Sequence, residues 1–473
     1  MHEVPSAHAT ARTAAIEHRR RISLIAAGSA IFSLLFNWIA TFYRDVRVSE
    51  LFSDYADDGL CPTPESAIGV HCFGDFYAPM RVLTGEQGPN PWLLDGSWNY
   101  SPLSNWPMLP LVILRGVLEW RTLLLIYLVG AVGATVWAAF VLIRRSPEGK
   151  SSGSVLWLAL VPVVSTPFLA AFDRGNTALV AVPLLMLGLS YLSRGQWGLW
   201  RTVVFLLAAL KPQFGVLVLV DAAAGHWRTS LRLGIGIALA HLASFVVTGR
   251  DAWRSARAWI SEGLGGYSFV YSDQLGDRNV SIGQYALDVT SVLDHLLFAG
   301  QVVLSAVPRW SPELVTIGLI ALGAIALAGF EGAERLTLSV VVLTVVGFVG
   351  PILSFQYYLV FAGPLLLALM TGAVQISGGV PDGAGEERSL WMRPSLGYLL
   401  VAFCVVASFQ IAVPMSDVTE LSSRWGLVSR LVAGVLLLAF LSAVIATGLV
   451  NFPRGGVRQM SGGATSGRTW NVS

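Results

Sequence analysis

Apolar positions fall into long runs divided by short polar segments, and no stretch alternates residue by residue. Runs of about 20 apolar residues suit helices that cross a bilayer, whereas a membrane barrel would show short alternating segments. The pattern predicts an all-α polytopic membrane protein. A first run, about 22–42, follows a polar segment, 1–21, ending in Arg19, Arg20 and Arg21. No small-residue cleavage pattern follows it, so it is expected as a retained span rather than a signal peptide. Further runs lie at 122–143, 155–171, 178–192, 202–220, 234–247, 314–330, 336–353, 357–374, 397–413 and 427–450. Together they predict a bundle of about 10–12 helices occupying 22–450. The run at 202–220 holds Lys211-Pro212 at its centre, which predicts a broken or re-entrant helix. "NWPMLPLVILRGVLEW" is short and twice interrupted by proline, and is expected to lie in the membrane interface. No fixed-period repeat marks a two-fold transporter.

Arginine-rich flanks set direction. The N-terminal "EHRRRI", "RRSPEGK", "SRGQWGLWR" and the polar, Gly/Ser-rich tail 451–473 are assigned to the cytoplasm by the positive-inside rule, and the tail is expected to be disordered. Two polar, aromatic loops, about 44–121 and 249–294, then fall on the outer face.

Composition sharpens this picture. Of 473 residues, 54% are hydrophobic and 13% charged, against about 25% charged in soluble domains. The net charge of +2 says nothing of partners, and no nucleic-acid partner is expected. Cys404 lies in an apolar run and reads as a small core residue. Cys61 and Cys72 flank a short outer segment, and their spacing leaves open whether they are bridged.

Three side chains carry the candidate chemistry. Lys211, in mid-run, costs about 2.5–3.5 kcal/mol to insert, which marks it as functional by default; the plainer reading is a lysine paired inside the bundle or snorkelling. A lysine at a helix break suits a phosphate, because the break frees backbone N–H groups. Arg174, in "FDRGN", reads equally as an anion contact or as part of a turn built on Gly175. Asp75, in the first outer loop, reads as a solvated acid or as a general base for a hydroxyl acceptor. Tyr77, Trp92, Trp98, Asn99, Tyr100 and Trp106 surround it in sequence, although aromatics also belt membrane interfaces. Asp57-Asp58 alone is a weak metal signal, and neither metal nor cofactor is expected. The chain shows no nucleotide-binding loop and no nucleophile elbow, so an activated donor would be lipid-borne.

In order, "GDFYAPMRVLTG", "NYSPLSNWPMLPL", "DRGNTAL", "LKPQFGVLVLV", "RNVSIGQY" and "SFQYYLVFAGPLL" resemble the membrane glycosyltransferases of family 87, of GT-C architecture. The likeness covers about residues 20–375. It is strongest to actinobacterial arabinan-branching arabinofuranosyltransferases and polyprenol-phosphate-mannose-dependent mannosyltransferases. It implies a catalytic role for Asp75 and places Lys211 and Arg174 beside a donor phosphate, with Arg278 a third candidate. Polar side chains of the shared motifs, Tyr77, Asn99, Tyr100, Asn176, Gln213, Asn279, Gln356 and Tyr357, are the candidate sugar or acceptor contacts. Two departures stand out. A Tyr-Pro-Pro-like element reads Tyr100-Ser101-Pro102, which is expected to loosen that turn. Gln356 and Tyr357 stand where some mannosyltransferases carry histidine, which favours the arabinosyl branch.

The expectation is inverting transfer of arabinofuranose or mannose from a polyprenyl phosphate to a cell-envelope glycan or glycolipid, on the outer face of a bacterial plasma membrane. Two rivals from other classes are a transporter or flippase of a lipid-linked sugar and a non-catalytic envelope scaffold.

Overall fold

A computed structural model describes residues 7–44, 67–68, 71–84, 101–144, 152–263, 312–349, 356–376, 390–410 and 420–461. The chain is an all-α polytopic membrane protein. Its long helices are α1 (Ala7–Arg44), α4 (Trp120–Arg144), α10 (Trp227–Ser244), α13 (Gly332–Val349) and α16 (Glu420–Ser461). Among the described residues, five helices are long and apolar enough to cross a membrane, and six shorter apolar helices accompany them. Among the described residues, strand is confined to two small pairs, β1 (Ala67–Ile68) with β2 (His71–Cys72), and β3 (Val374–Ile376) with β4 (Leu390–Met392).

The shorter elements are runs broken by proline or glycine. The run expected at 155–171 divides into α5 (Ser152–Leu160) and α6 (Thr166–Arg174), where Ser165 is extended and Pro167 opens the second helix. The run at 202–220 divides as expected. α8 (Trp197–Leu210) stops, Lys211 turns extended at φ −138°, and a 3-10 helix, Pro212–Val218, leads into α9 (Leu219–Ala223). Proline disfavours helical backbone in the residue before it, so Pro212 sets the break at Lys211. The proline-interrupted segment is a 3-10 helix, Pro102–Met108, followed by α3 (Leu109–Leu114), with Leu109, Ile113 and Val117 exposed.

Two boundaries differ from expectation. α1 begins at Ala7, inside the expected polar tail, because its Ala- and Arg-rich sequence favours helix. α16 runs on to Ser461, past the expected end of the membrane domain at 450. Glycine disfavours helix only by about 1 kcal/mol, so Gly455 and Gly456 do not stop it.

α7 (Ala178–Leu192) is apolar on every side and buried almost throughout, as such a helix must be. It packs on α4 and α8. Gly188 permits this: a Cβ there would stand 3.0 Å from Val203 and 3.1 Å from the Trp200 ring. α15 (Pro394–Ser408), which buries Cys404, and α12 (Pro312–Leu327) pack against α16, while α13 packs on the 3-10 helix after Lys211.

The chain order defines two ends. α2 (Gly74–Thr84), the start of α4 and the end of α6 share one end. The end of α4, the α7–α8 turn and the start of α13 share the other. Two ion pairs, each of a buried acid with a partly exposed arginine, sit toward the second end: Arg201 with Asp221 at 2.7 Å and Arg393 with Glu334 at 2.8 Å. In a background lacking native cysteines, single cysteines at Arg121 and Arg228, both exposed, should label with an impermeant reagent from opposite sides of a sealed vesicle. Labelling of both from one side would contradict this arrangement of helices.

Candidate active site

The site is assembled from helix ends. α6 closes with Gly175 in the left-handed conformation, φ +63°. The Gly175 N–H donates to the Phe172 carbonyl at 3.0 Å, and the Asn176 N–H to the Ala171 carbonyl at 2.9 Å. This is the Schellman pattern, in which a glycine past the last helical residue turns the chain back. Gly175 has a second role. A Cβ on it would stand 2.7 Å from Phe76 Cβ, so its bareness lets α2 approach the end of α6.

That approach brings Asp75, in the first turn of α2, against Arg174. Arg174 Nε donates to Asp75 Oδ2 at 2.7 Å and Nη2 to Oδ1 at 2.9 Å, a bidentate fork. Asn176 Nδ2 also donates to Oδ2, at 2.7 Å. The amide is itself held: its Oδ1 accepts from the Ala178 N–H at 2.8 Å, and the residue's carbonyl accepts from Tyr127 Oη at 2.9 Å. Burial acts to raise the Asp75 carboxyl; Arg174, the Asn176 amide and the charge of Lys211 outweigh it and hold the group below the usual carboxylate value. The carboxylate is therefore ionised at neutral pH and partly neutralised by its neighbours.

Lys211 is fully buried at the α8 break. Its Nζ donates to Tyr358 Oη at 3.0 Å and stands 4.9 Å from that ring's centre. Tyr358 lies on the 3-10 helix Gln356–Phe361, which packs on α6 and leads into α14 (Ala362–Thr371). The structure thus brings together Asp75, Arg174 and Asn176, with Lys211 near enough to act on the carboxylate. Gln213, half-buried, follows two residues after Lys211. Tyr77 is turned against Trp120, at 5.4 Å between ring centres, with the Arg81 guanidinium 5.8 Å from its own. Asn99, Tyr100, Arg278, Asn279 and Cys61 lie outside the described residues; Cys72, Gln356 and Tyr357 are described by backbone alone. Among the described residues, no three His, Cys, Asp or Glu side chains gather as a metal site.

Sequence reasoning missed two contacts. One is Tyr358, whose hydroxyl accepts from Lys211 and which stands one position after the candidate Tyr357. The other is Ser101, at the departure from the Tyr-Pro-Pro-like element. Its Oγ lies 2.6 Å from His241 Nδ1, and His241 Nε2 donates to the Ala208 carbonyl at 3.0 Å. The carbonyl can only accept, so in the neutral ring Nε2 carries the proton and Nδ1 accepts from Ser101. Ser101 itself is fully buried and tied through His241 to α8, three residues before Lys211; Tyr100 of the same turn lies outside the described residues.

Two predictions follow from this geometry. Gly175→Ala should cost at least about 1–2 kcal/mol, the penalty for a left-handed non-glycine residue, with a further loss from the Phe76 clash, read as a lowered melting temperature. The second concerns pH. A depressed carboxyl contributes stability above its unfolded value of about 3.9 that is lost as pH falls through the lower folded value. The melting-temperature gap between the native protein and Asp75→Asn should therefore be constant at neutral pH and close below about pH 4. A gap unchanged down to pH 2 would remove the ionised pair from the folded state.

The model of glycosyltransferase family 87 matches residues 98–354, more than half of the chain. The match includes Arg174, Asn176 and Lys211, and begins after Asp75. Neither the curated proteins nor the solved structures compared with the chain gave a match. With a family match of that extent laid over a polytopic helical bundle, the chain belongs to glycosyltransferase family 87 and is a membrane glycosyltransferase.

Proposed function

We propose that the protein transfers arabinofuranose or mannose from a polyprenyl-phosphate donor to a cell-envelope glycan or glycolipid, with inversion, on the outer face of a bacterial plasma membrane. The observation that carries this reading is the meeting of Asp75, Arg174, Asn176 and Lys211 where helices break. An acceptor hydroxyl beside Asp75 gives its proton to the carboxylate as its oxygen forms a bond to the anomeric carbon. The bond from that carbon to the phosphate oxygen breaks, and polyprenyl phosphate leaves with the electron pair. A phosphate leaving group needs positive charge. Lys211 and Arg174 supply it, with Arg278 assigned to the same role from sequence.

Arg174 gives the site an internal control. Paired with Asp75, it weakens the carboxylate as a base. A donor phosphate competes for the same guanidinium, and as the fork shifts toward phosphate the carboxylate regains basicity. Proton abstraction is thereby coupled to donor binding. Asn176 keeps the carboxylate oriented during the exchange. The bilayer delivers the donor's lipid chain, and Tyr77, Asn99, Tyr100, Gln213, Asn279, Gln356 and Tyr357 are proposed around the sugar and acceptor. The sidedness is supported by the arginines of the opposite end, since cytoplasmic flanks carry the excess of Lys and Arg.

The test is purified protein supplied in turn with radiolabelled polyprenyl-phosphate arabinose and mannose, reading free polyprenyl phosphate and labelled glycan. Asp75→Asn should lower turnover by about 10²–10⁴, the usual range for a lost general base, while donor binding persists. Lys211→Met removes a buried charge, so the fold should survive and donor affinity should fall by about 1.5–3 kcal/mol, the worth of a hydrogen bond to a charged group. A Lys211→Met protein that binds donor normally but melts early would make the lysine structural. Full turnover by Asp75→Asn would remove the proposed base.

A further inference from the structure

A second feature lies at the other end of the bundle. A cavity of about 300 Å³ opens between α9, α12, α13 and α16, at the lower end of the about 300–1,000 Å³ range of small-molecule sites. Its walls include Ala223, Gly323, Leu327, Leu343 and Leu441, and Arg335 and Ser339 are the polar residues on it. The space has a local cause. α12 and α16 meet closely near their shared end, where a Cβ on Gly448 would overlap the Ala326 carbonyl. Further along, small residues leave the gap unfilled, and a Cβ on Gly323 would have no heavy atom within 4 Å. Protein interiors are otherwise close-packed, and in a membrane the natural filling for an apolar cavity is a hydrocarbon chain.

The charges at this end select the occupant's other half. Glu334 accepts two hydrogen bonds from Arg393, at 2.8 and 3.1 Å, and Asp221 accepts one from Arg201 at 2.7 Å. Arg335 differs: its Nε is buried and has no hydrogen-bond partner among the described residues. A buried donor left unmade is destabilising, and this one lies on the cavity wall. Arg335 stands in the first turn of α13, whose 18 residues span about 27 Å, close to the about 30 Å of a hydrocarbon core. Its guanidinium is therefore near headgroup depth while the cavity runs inward beside Leu343 and Val346. Arg335 stands twelve positions before Gly347, which packs against Phe214, and none of Asp75, Arg174, Asn176 or Lys211 lines the cavity, so the feature is distinct from the candidate active site.

We propose that this cavity binds one chain of an anionic phospholipid, with the lipid phosphate held by Arg335. The lipid comes from the leaflet at the end opposite Asp75 and takes no part in the transfer. It fills the gap between α12 and α16 and satisfies the Arg335 donor, joining four helices that otherwise meet around empty space.

The test is native mass spectrometry of the full-length protein, exposed in detergent to phosphatidylglycerol, to phosphatidylcholine of identical chains, or to polyprenyl phosphate. Retention of one phosphatidylglycerol, about ten-fold over phosphatidylcholine, is expected. Arg335→Gln should abolish that preference, and Gly323→Phe should remove the bound lipid by filling its slot. Melting temperatures show that each variant folds, and Ala324→Leu replaces Gly323→Phe if the larger side chain is not accommodated. Equal retention of the two phospholipids, a preference surviving Arg335→Gln, lipid retained by the cavity-filled variant, or displacement of phosphatidylglycerol by polyprenyl phosphate would each overturn the assignment.

Discussion

The fork between Arg174 and Asp75 fixes the geometry on which the candidate site depends. It joins residues 99 positions apart, one at the start of α2 and the other at the end of α6. The dipoles favour this placement, since helix N-termini suit acids and C-termini suit cations. Without the fork, the Asn176 amide at 2.7 Å would be the one described hydrogen bond left to hold the Asp75 carboxylate in the field of Lys211. The fork requires close backbone approach, and that approach rests on the missing side chain of Gly175. One glycine therefore ends a helix, admits Phe76 and sets the distance between carboxylate and guanidinium.

A membrane bundle constrains where such chemistry can sit. Helix interiors satisfy their own backbone groups and present mostly apolar side chains. Irregular backbone is tolerated only where protein or a water-filled cavity receives it. The polar groups of this site accordingly occupy interruptions: the α2 start, the α6–α7 turn, the Lys211 break and the 3-10 helix carrying Tyr358. Proline creates the break at Lys211, and the His241 bridge from Ser101 to the Ala208 carbonyl braces the helix end before it. Interruptions and polar clusters coincide here because the free backbone groups and the room for polar side chains arise together.

Much of this was legible in the sequence where the signal is local. Apolar run length gave the helical membrane class, Lys211-Pro212 gave the broken helix, and Arg174-Gly175-Asn176 gave the turn. Contacts between distant segments were less accessible. "DRGN" supports an ordinary turn as readily as an anion site, and only the approach of α2 shows that its arginine and asparagine meet Asp75. The meeting of Tyr358 with Lys211 joins residues 147 positions apart, which apolar periodicity does not encode. Ser101 read as a weakened turn because its partner, His241, lies 140 residues away. The termini misled for a different reason: polarity marks where membrane ends, and helix continues wherever propensity allows.

The arrangement of charge separates structural pairs from the candidate site. Asp221 meets Arg201 and Glu334 meets Arg393, one acid to one arginine. In each the acid is buried and the arginine reaches solvent, so removing the arginine would strand a buried acid. Their chemistry is therefore spent within the fold. Asp75 is different, because beyond its arginine fork, which Glu334 also has, it draws on an oriented amide and the field of a fully buried lysine. Stability alone does not call for so much positive potential around one carboxylate. An anion entering beside it would find Arg174 and Lys211 already in place and could draw the fork away while Asn176 kept the carboxylate oriented. A matched pair has no comparable exchange to make. That difference, rather than burial or charge alone, is why perturbed ionisable clusters mark functional sites, and it separates the Asp75 cluster from the ion pairs at the other end of the bundle.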